Sequence, residues 1–443
     1  MYLILTIILL GLLLYIGYFL FNKELASPTI SFILGFFLCA VFLLNFVSLW
    51  DVHIHAKTCL LVAGGCFSFM LGAYIYNRTS KKNPSCSLVN IKFQPISVRR
   101  LRIIFLIYIA FAILRVYYLM AYYGMGDLAS NLVAHTMALK NYDNETEVLQ
   151  YPFVIRFSLS ILERVSYILA FFIPIYLRYG LKYRKNIIWL ILIFILNFFT
   201  SLLSSGRLTM LMLLITLGSS YLLTLYHGRK KISVKTIILW GVVGILFLSA
   251  FQQLGYLVGR EKTDDSASYV VGVYCGAELQ NLDEMLEKAH QYDTQYFGEA
   301  SFHLYYERLA QKYGLIKLKS EANDFVPFNV RRGYSLGNLA TALAIYYIDF
   351  DFFGTFIICF MIGIFMQYLY CHTRDSRKLF SGIISFKTLV YILLVNTMFM
   401  SFFTERVVYT LIGMINLSFL LGYVVLFYLL YGKLPWQRRY NNI

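Results

Sequence analysis

Apolar runs of about twenty residues recur from one end of this chain to the other, and nothing else in it constrains the fold more. A helix of that length crosses a hydrocarbon layer of roughly 30 Å. Spans are expected near 1–21, 29–50, 58–76, 103–123, 153–177, 187–204, 208–226, 236–257, 353–371, 382–402 and 407–431. That makes about eleven, between ten and twelve, in an all-α polytopic membrane protein. With 59% hydrophobic and 14% charged residues, the 443-residue chain lies outside the composition of soluble domains. Met1–Phe21 has no basic start and no A-x-A cleavage site, so it reads as a retained span, with no soluble domain expected on either side of the bundle.

The apolar pattern stops once, between Gly259 and Asp351. This stretch carries nine Lys/Arg and fourteen Asp/Glu. The expected layout is therefore a first bundle at 1–258 (eight spans), a polar loop at 259–351 and three closing spans at 352–443.

Charge sorting orients that layout. The connections 77–102, 178–186, 227–235, 372–380 and the tail 432–443 hold 21 basic residues against one acid, Asp375. The opposing segments 124–151 and 259–351 hold 10 basic and 18 acidic residues. Basic loops stay cytoplasmic, so the insert and Met1 face outward and the C-terminus inward. The net charge of +16 is thus a topology signal, and no nucleic-acid partner is expected. Of seven cysteines only Cys275 lies in the insert, which leaves the insert without an internal disulfide.

Within the insert, Glu278–Tyr292 places Leu279, Leu282, Leu286 and Ala289 on one helical face and acids on the other. Ser301–Tyr313 is a second amphipathic stretch, with Phe302, Tyr305, Tyr306 and Leu309 on its apolar side. The run 314–335 reads as loop, and Leu336–Tyr347 as an apolar segment at or in the membrane surface. Helices rather than a sheet are expected here.

Charges inside or beside spans need a reason, because hydrocarbon penalises them. Arg115, Arg156, Glu163, Arg164, Arg207, Arg260, Glu405 and Arg406 fall there, most of them toward the outer side. One reading is a cationic pocket suited to phosphate or diphosphate; the other is snorkelling and internal ion pairs. Glu163–Arg164 and Glu405–Arg406 are adjacent opposite charges and read as structural, unlike Arg207 and Arg260. G-x-x-x-x-G-K-[ST], H-E-x-x-H, C-x-x-C and G-x-S-x-G are all missing, and no metal or cofactor is expected.

Three stretches carry a family resemblance. They are Ala26-Ser27-Pro28 with Asn45 and Ser48–Val52, then Ser205-Gly206-Arg207, and then Leu336–Leu343 followed by Tyr346–Phe350, Gly354 and Gly363. The pattern resembles the oligosaccharide repeat unit polymerases, the Wzy-type O-antigen and capsule polymerases. Asp351 departs from that pattern, standing where the family commonly has glycine. The resemblance implies a GT-C-like helical fold in a bacterial inner membrane. It implies an enzyme that transfers growing glycan from undecaprenyl diphosphate to a newly flipped, lipid-linked repeat unit. A flippase and a chain-length regulator would share the pathway. Carried over, Arg207, Arg260, Arg331, Arg332 and Asn338 would bind diphosphate or sugar, joined by Arg115, Arg406, Tyr305 and Tyr306. The general base would be His303, Glu278, Glu307 or Asp349. An O-antigen ligase and a lipid-linked oligosaccharide flippase are the alternatives.

Overall fold

The computed structural model describes residues 1–80, 93–124, 126–128, 130–132, 134–135, 149, 151–201, 203, 207–227, 267–287, 294–311, 313–318, 328–414 and 417–432. In chain order these form α1 (Tyr2–Leu20), α2 (Pro28–Leu44), α3 (Val47–Trp50), α4 (Ala56–Thr79), α5 (Val98–Tyr123), α6 (Phe153–Arg178), α7 (Arg184–Thr200), α8 (Arg207–His227), α9 (Ala267–Cys275), α10 (Ala277–Glu287) and α11 (His303–Gln311). The strands β1 (Asn329–Arg331) and β2 (Tyr334–Gly337) follow. Then come α12 (Ala342–Arg374), α13 (Arg377–Phe380), α14 (Phe386–Phe399), α15 (Val407–Met414) and α16 (Leu417–Tyr431).

The chain is mostly helical. Among the described residues six helices are long and apolar enough to cross a membrane, and Val407–Met414 with Phe419–Tyr431, bent by 82°, would make a seventh. Pro28–Leu44 and Phe386–Phe402 are apolar but shorter. The expected span at 236–257 lies outside the described residues. The surface segment expected at Leu336–Tyr347 and the span expected at 353–371 share one helix, α12, of 33 residues, with a break at Asp351 (φ 56, ψ −168).

Two compact units emerge, and both interleave distant parts of the chain. The first comprises Met1–Ser87, Ser268–Ser376 and Ser385–Asn416; the second comprises Leu88–Ala267, Arg377–Ile384 and Leu417–Ile443.

In the first unit α4 lies along α12 in a glycine seam. A Cβ on Gly72 would run into the Phe360 carbonyl, and one on Gly363 into the Phe69 carbonyl. Lipid tails are as apolar as leucine, so small residues that let backbones meet provide the attraction between such helices. At one end of α12, Glu24 is buried and accepts from Arg374 Nη1 at 3.0 Å and from the Tyr370 hydroxyl. Arg374 also grips Asp375 through Nε and Nη2, at 2.8 and 3.0 Å.

At the other end of α12 the insert departs from expectation in two ways. First, α10 is not a surface helix with an acidic outer face. It packs against α2, α4, α12 and β2, and Glu278, Gln280, Asn281 and Asp283 are as buried as Leu279, Leu282 and Leu286. Second, the segment read as loop contains an antiparallel hairpin, Arg331 facing Tyr334. Its two-residue turn, Arg332–Gly333, has φ of 47° and 80°, the left-handed pair that matches the twist of paired strands.

The second unit packs α6 against α7 and α8, and α5 against α7. Its charge is sorted by end. Arg99, Arg100 and Arg102 open α5, while Arg178, Lys182, Arg184 and Lys185 cluster where α6 turns into α7. The opposite ends of these helices meet around Arg115.

Candidate functional site

Two polar clusters gather the residues singled out by the sequence, one in each unit. In the first unit the cluster is built on α10. Asp283, 2% exposed, accepts from the His55 backbone N–H at 2.8 Å and from the Thr58 hydroxyl, and meets His55 Nδ1 at 2.7 Å. His55 is the N-cap of α4, so Asp283 supplies from another helix the anion that an N-terminus favours. The hydrogen bond to Asp283, reinforced by its charge, holds the His55 imidazole above its usual pKa.

The hairpin arginines close over the same helix. Arg331 Nε lies 2.6 Å from Glu284, and its Nη1 donates to the Asp51 carbonyl at 2.5 Å. Arg332 reaches Asp51 Oδ1 at 3.2 Å and the Ser48 carbonyl at 3.2 Å, and His53 approaches the same carboxylate at 3.4 Å. Asn281 donates to the carbonyls of Leu336 and Leu339 and accepts from Asn329. So α10 ties the Ser48–Val52 corner to the Leu336–Thr341 stretch, and Asn338 itself is exposed. Arg331 is 26% exposed and bonded through Nε and Nη1, whereas Arg332, at 58% exposure, leaves more of its guanidinium to solvent.

The other expected residues of this unit fall around the cluster. Asp349 does not face an open site: its carboxylate accepts from the backbone N–H groups of Ala300 (3.0 Å) and Ser301 (2.6 Å) and clamps the loop before α11. Glu278 is 1% exposed with neither oxygen hydrogen-bonded among the described residues, and burial pushes its carboxyl well above the usual range. His303 and Glu307 sit half-buried on α11, beside exposed Tyr305 and beside Tyr306, which stacks on Tyr296 at 5.3 Å. Arg406 lies over the Tyr409 ring, and its neighbour Glu405 accepts from the Val408 and Tyr409 N–H groups and from the Tyr346 hydroxyl. The Glu405 carboxylate is a cap for α15, while the Arg406 Nε is buried with no partner among the described residues.

In the second unit a cavity of about 70 Å³ opens among α5, α6, α7 and α8, lined by Tyr108, Arg115, Glu163, Ser166, Asn197, Thr200, Ser201 and Thr209 with apolar neighbours. A water needs about 10–15 Å³ of such space, so the cavity takes a few waters or one phosphoryl group. Arg115 Nη1 donates to the Thr200 carbonyl at 3.2 Å, and its Nε is buried with no partner among the described residues. Tyr108 and Ser166 pair at 2.8 Å and both turn to the Leu162 carbonyl. Arg164 instead lies over the Phe419 ring, 5.0 Å from its centre.

Arg207 begins α8, but its side chain lies outside the described residues, as does Arg260 entirely. Sequence reasoning missed Asp283, His55 and Thr58. One signal was present: Met285 falls on the face of α10 that carries Glu278, an apolar residue where a solvated face was expected. Among the described residues no three His, Cys, Asp or Glu side chains gather to hold a metal ion. Compared with protein-family models, curated protein sequences and solved structures, the chain matches none.

Proposed function

We propose that the chain is a membrane glycosyltransferase that polymerises oligosaccharide repeat units carried on undecaprenyl diphosphate. It works at the outer face of a bacterial inner membrane, in an eleven-span bundle of GT-C-like type. The observation that supports this reading is Arg115. A guanidinium whose buried Nε has no partner among the described residues lines, together with Glu163, a cavity rich in hydroxyls, at the helix ends opposite the basic turns. A fixed cation among apolar helices suits one phosphoryl group of a leaving diphosphate, whose charge it stabilises as the glycosidic C–O bond breaks.

In the reaction an acceptor hydroxyl oxygen bonds to the anomeric carbon of the growing chain. The lipid diphosphate leaves, and the hydroxyl proton passes to a base. Among the four carboxyl and imidazole candidates, Asp349 already accepts two amides and Glu278 is shut away from solvent. The other two, His303 and Glu307, sit half-buried on α11 next to Tyr305 and Tyr306.

The test is complementation of a deletion strain, read on a glycan gel. Arg115→Ala and Arg207→Ala, each at the protein level of the wild type, are expected to leave single capped repeat units in place of a ladder. A normal ladder from Arg115→Ala overturns the assignment. Loss of all surface glycan on deletion points to a ligase or flippase instead.

A further inference from the structure

The aromatic cluster ahead of α11 supports an inference about the bilayer rather than the glycan. Asp349 pins the backbone at Ala300 and Ser301, which sets the preceding Phe297 ring against Phe350 at 5.0 Å between centroids. The Tyr306 hydroxyl donates to the Phe297 carbonyl at 2.8 Å and fixes the loop from its other side. The result is an apolar ring held in place yet 80% exposed. Exposed Tyr305 lies next to Tyr306 on the same short helix.

What covers this ring follows from its continuity with α12. Just past Phe350 and the break at Asp351, the exposed residues of α12 are Phe353, Ile357 and Met361, at 77%, 48% and 57%. Their four-residue spacing is one helical stripe on a candidate membrane span, and such a stripe faces lipid. Phe297 extends that stripe outward by one ring, at the level where aromatic side chains collect between hydrocarbon and headgroups.

We propose that Phe297 inserts into the bilayer interface, so that the loop Gln295–Ser301 is a membrane anchor clamped to α12 by Asp349. A spin label at Phe297→Cys, in nanodiscs of phosphatidylethanolamine and phosphatidylglycerol, tests this. Collision with oxygen, which partitions into lipid, is compared with collision with a water-soluble nickel chelate. Phe353→Cys serves as the lipid reference, Glu287→Cys as the aqueous reference, and the unsubstituted chain as the baseline for native cysteines. The label at 297 is expected to favour oxygen, as at 353. A nickel-favoured signal like that at 287 overturns the proposal. Shielding from both reagents also overturns it and indicates a protein or glycan cover. Phe297 is largely exposed, so its replacement leaves the packing intact.

Discussion

The two polar clusters treat charge in opposite ways. Around α10 the carboxylates that meet the hairpin and the start of α4 have named donors: Asp283 holds His55 and Thr58, Glu284 holds Arg331, and Asp51 holds Arg332, with buried Glu278 the exception among the described residues. Around Arg115, among the described residues, the guanidinium donates to one carbonyl, keeps Nε buried without a partner and shares the cavity wall with Glu163. A closed network fixes elements against one another; a part-satisfied cation in a cavity is kept at a stability disadvantage and so reads as a place for a ligand. The first cluster is architecture and the second is the better candidate for chemistry.

Four substitutions sharpen or break that contrast. The largest effect is expected from Asp283→Ala, which strands the buried Thr58 hydroxyl and the His55 amide together. It should lower stability by about 3 kcal/mol. An unchanged thermal melt in detergent would mean that the network around α10 holds nothing. Asp351→Gly comes next. Aspartate there adopts φ 56°, ψ −168°, a region essentially reserved for glycine, and strain of this kind amounts to about 1–2 kcal/mol. The variant should melt higher, and a lower melting point would show that the Asp351 side chain, which accepts from the Phe352 N–H, outweighs the strain.

Smaller still is the titration of His55. Its folded pKa lies above the unfolded value of about 6.5. The added stability is therefore fully present below pH 6.5 and is lost as pH rises through the higher folded value. With more than half of the imidazole exposed, solvent screens the pair and the effect is about 0.5 kcal/mol. His55→Gln should flatten the stability profile over that window; an unchanged slope would assign the titration to another group. Last, Arg115→Ala should move stability by less than about 0.5 kcal/mol while removing the glycan ladder. A variant that instead fails to accumulate would place Arg115 in the same architectural class as Asp283.

Much of the bundle could be read from hydropathy because the bilayer punishes any other arrangement of twenty apolar residues. Charge sorting by helix end also reappears within the second unit, in the basic turns around Arg99–Arg102 and Arg178–Lys185. The insert was harder to read. Periodicity assigned α10 an apolar face and a wet one, but it cannot report that the wet face is met by His55, Thr58 and Arg331, the last of which lies 47 residues from Glu284. The hairpin was missed because its signal is only the turn pair Arg332–Gly333 between two short strands. For Asp349 the sequence offered a catalytic carboxylate; its two backbone donors come from residues 48 and 49 positions away, invisible to any local pattern.

The Glu24–Arg374 pair has a consequence for biosynthesis. The two residues are 350 positions apart, and the acid is buried in the finished protein. At about 5–20 residues per second, the ribosome delivers the cation roughly 20–70 seconds after the acid. Throughout that interval the first helical hairpin carries a carboxylate without its guanidinium. A chain truncated before Arg374 would keep that defect permanently, a mark by which membrane quality control could tell an unfinished copy from a finished one.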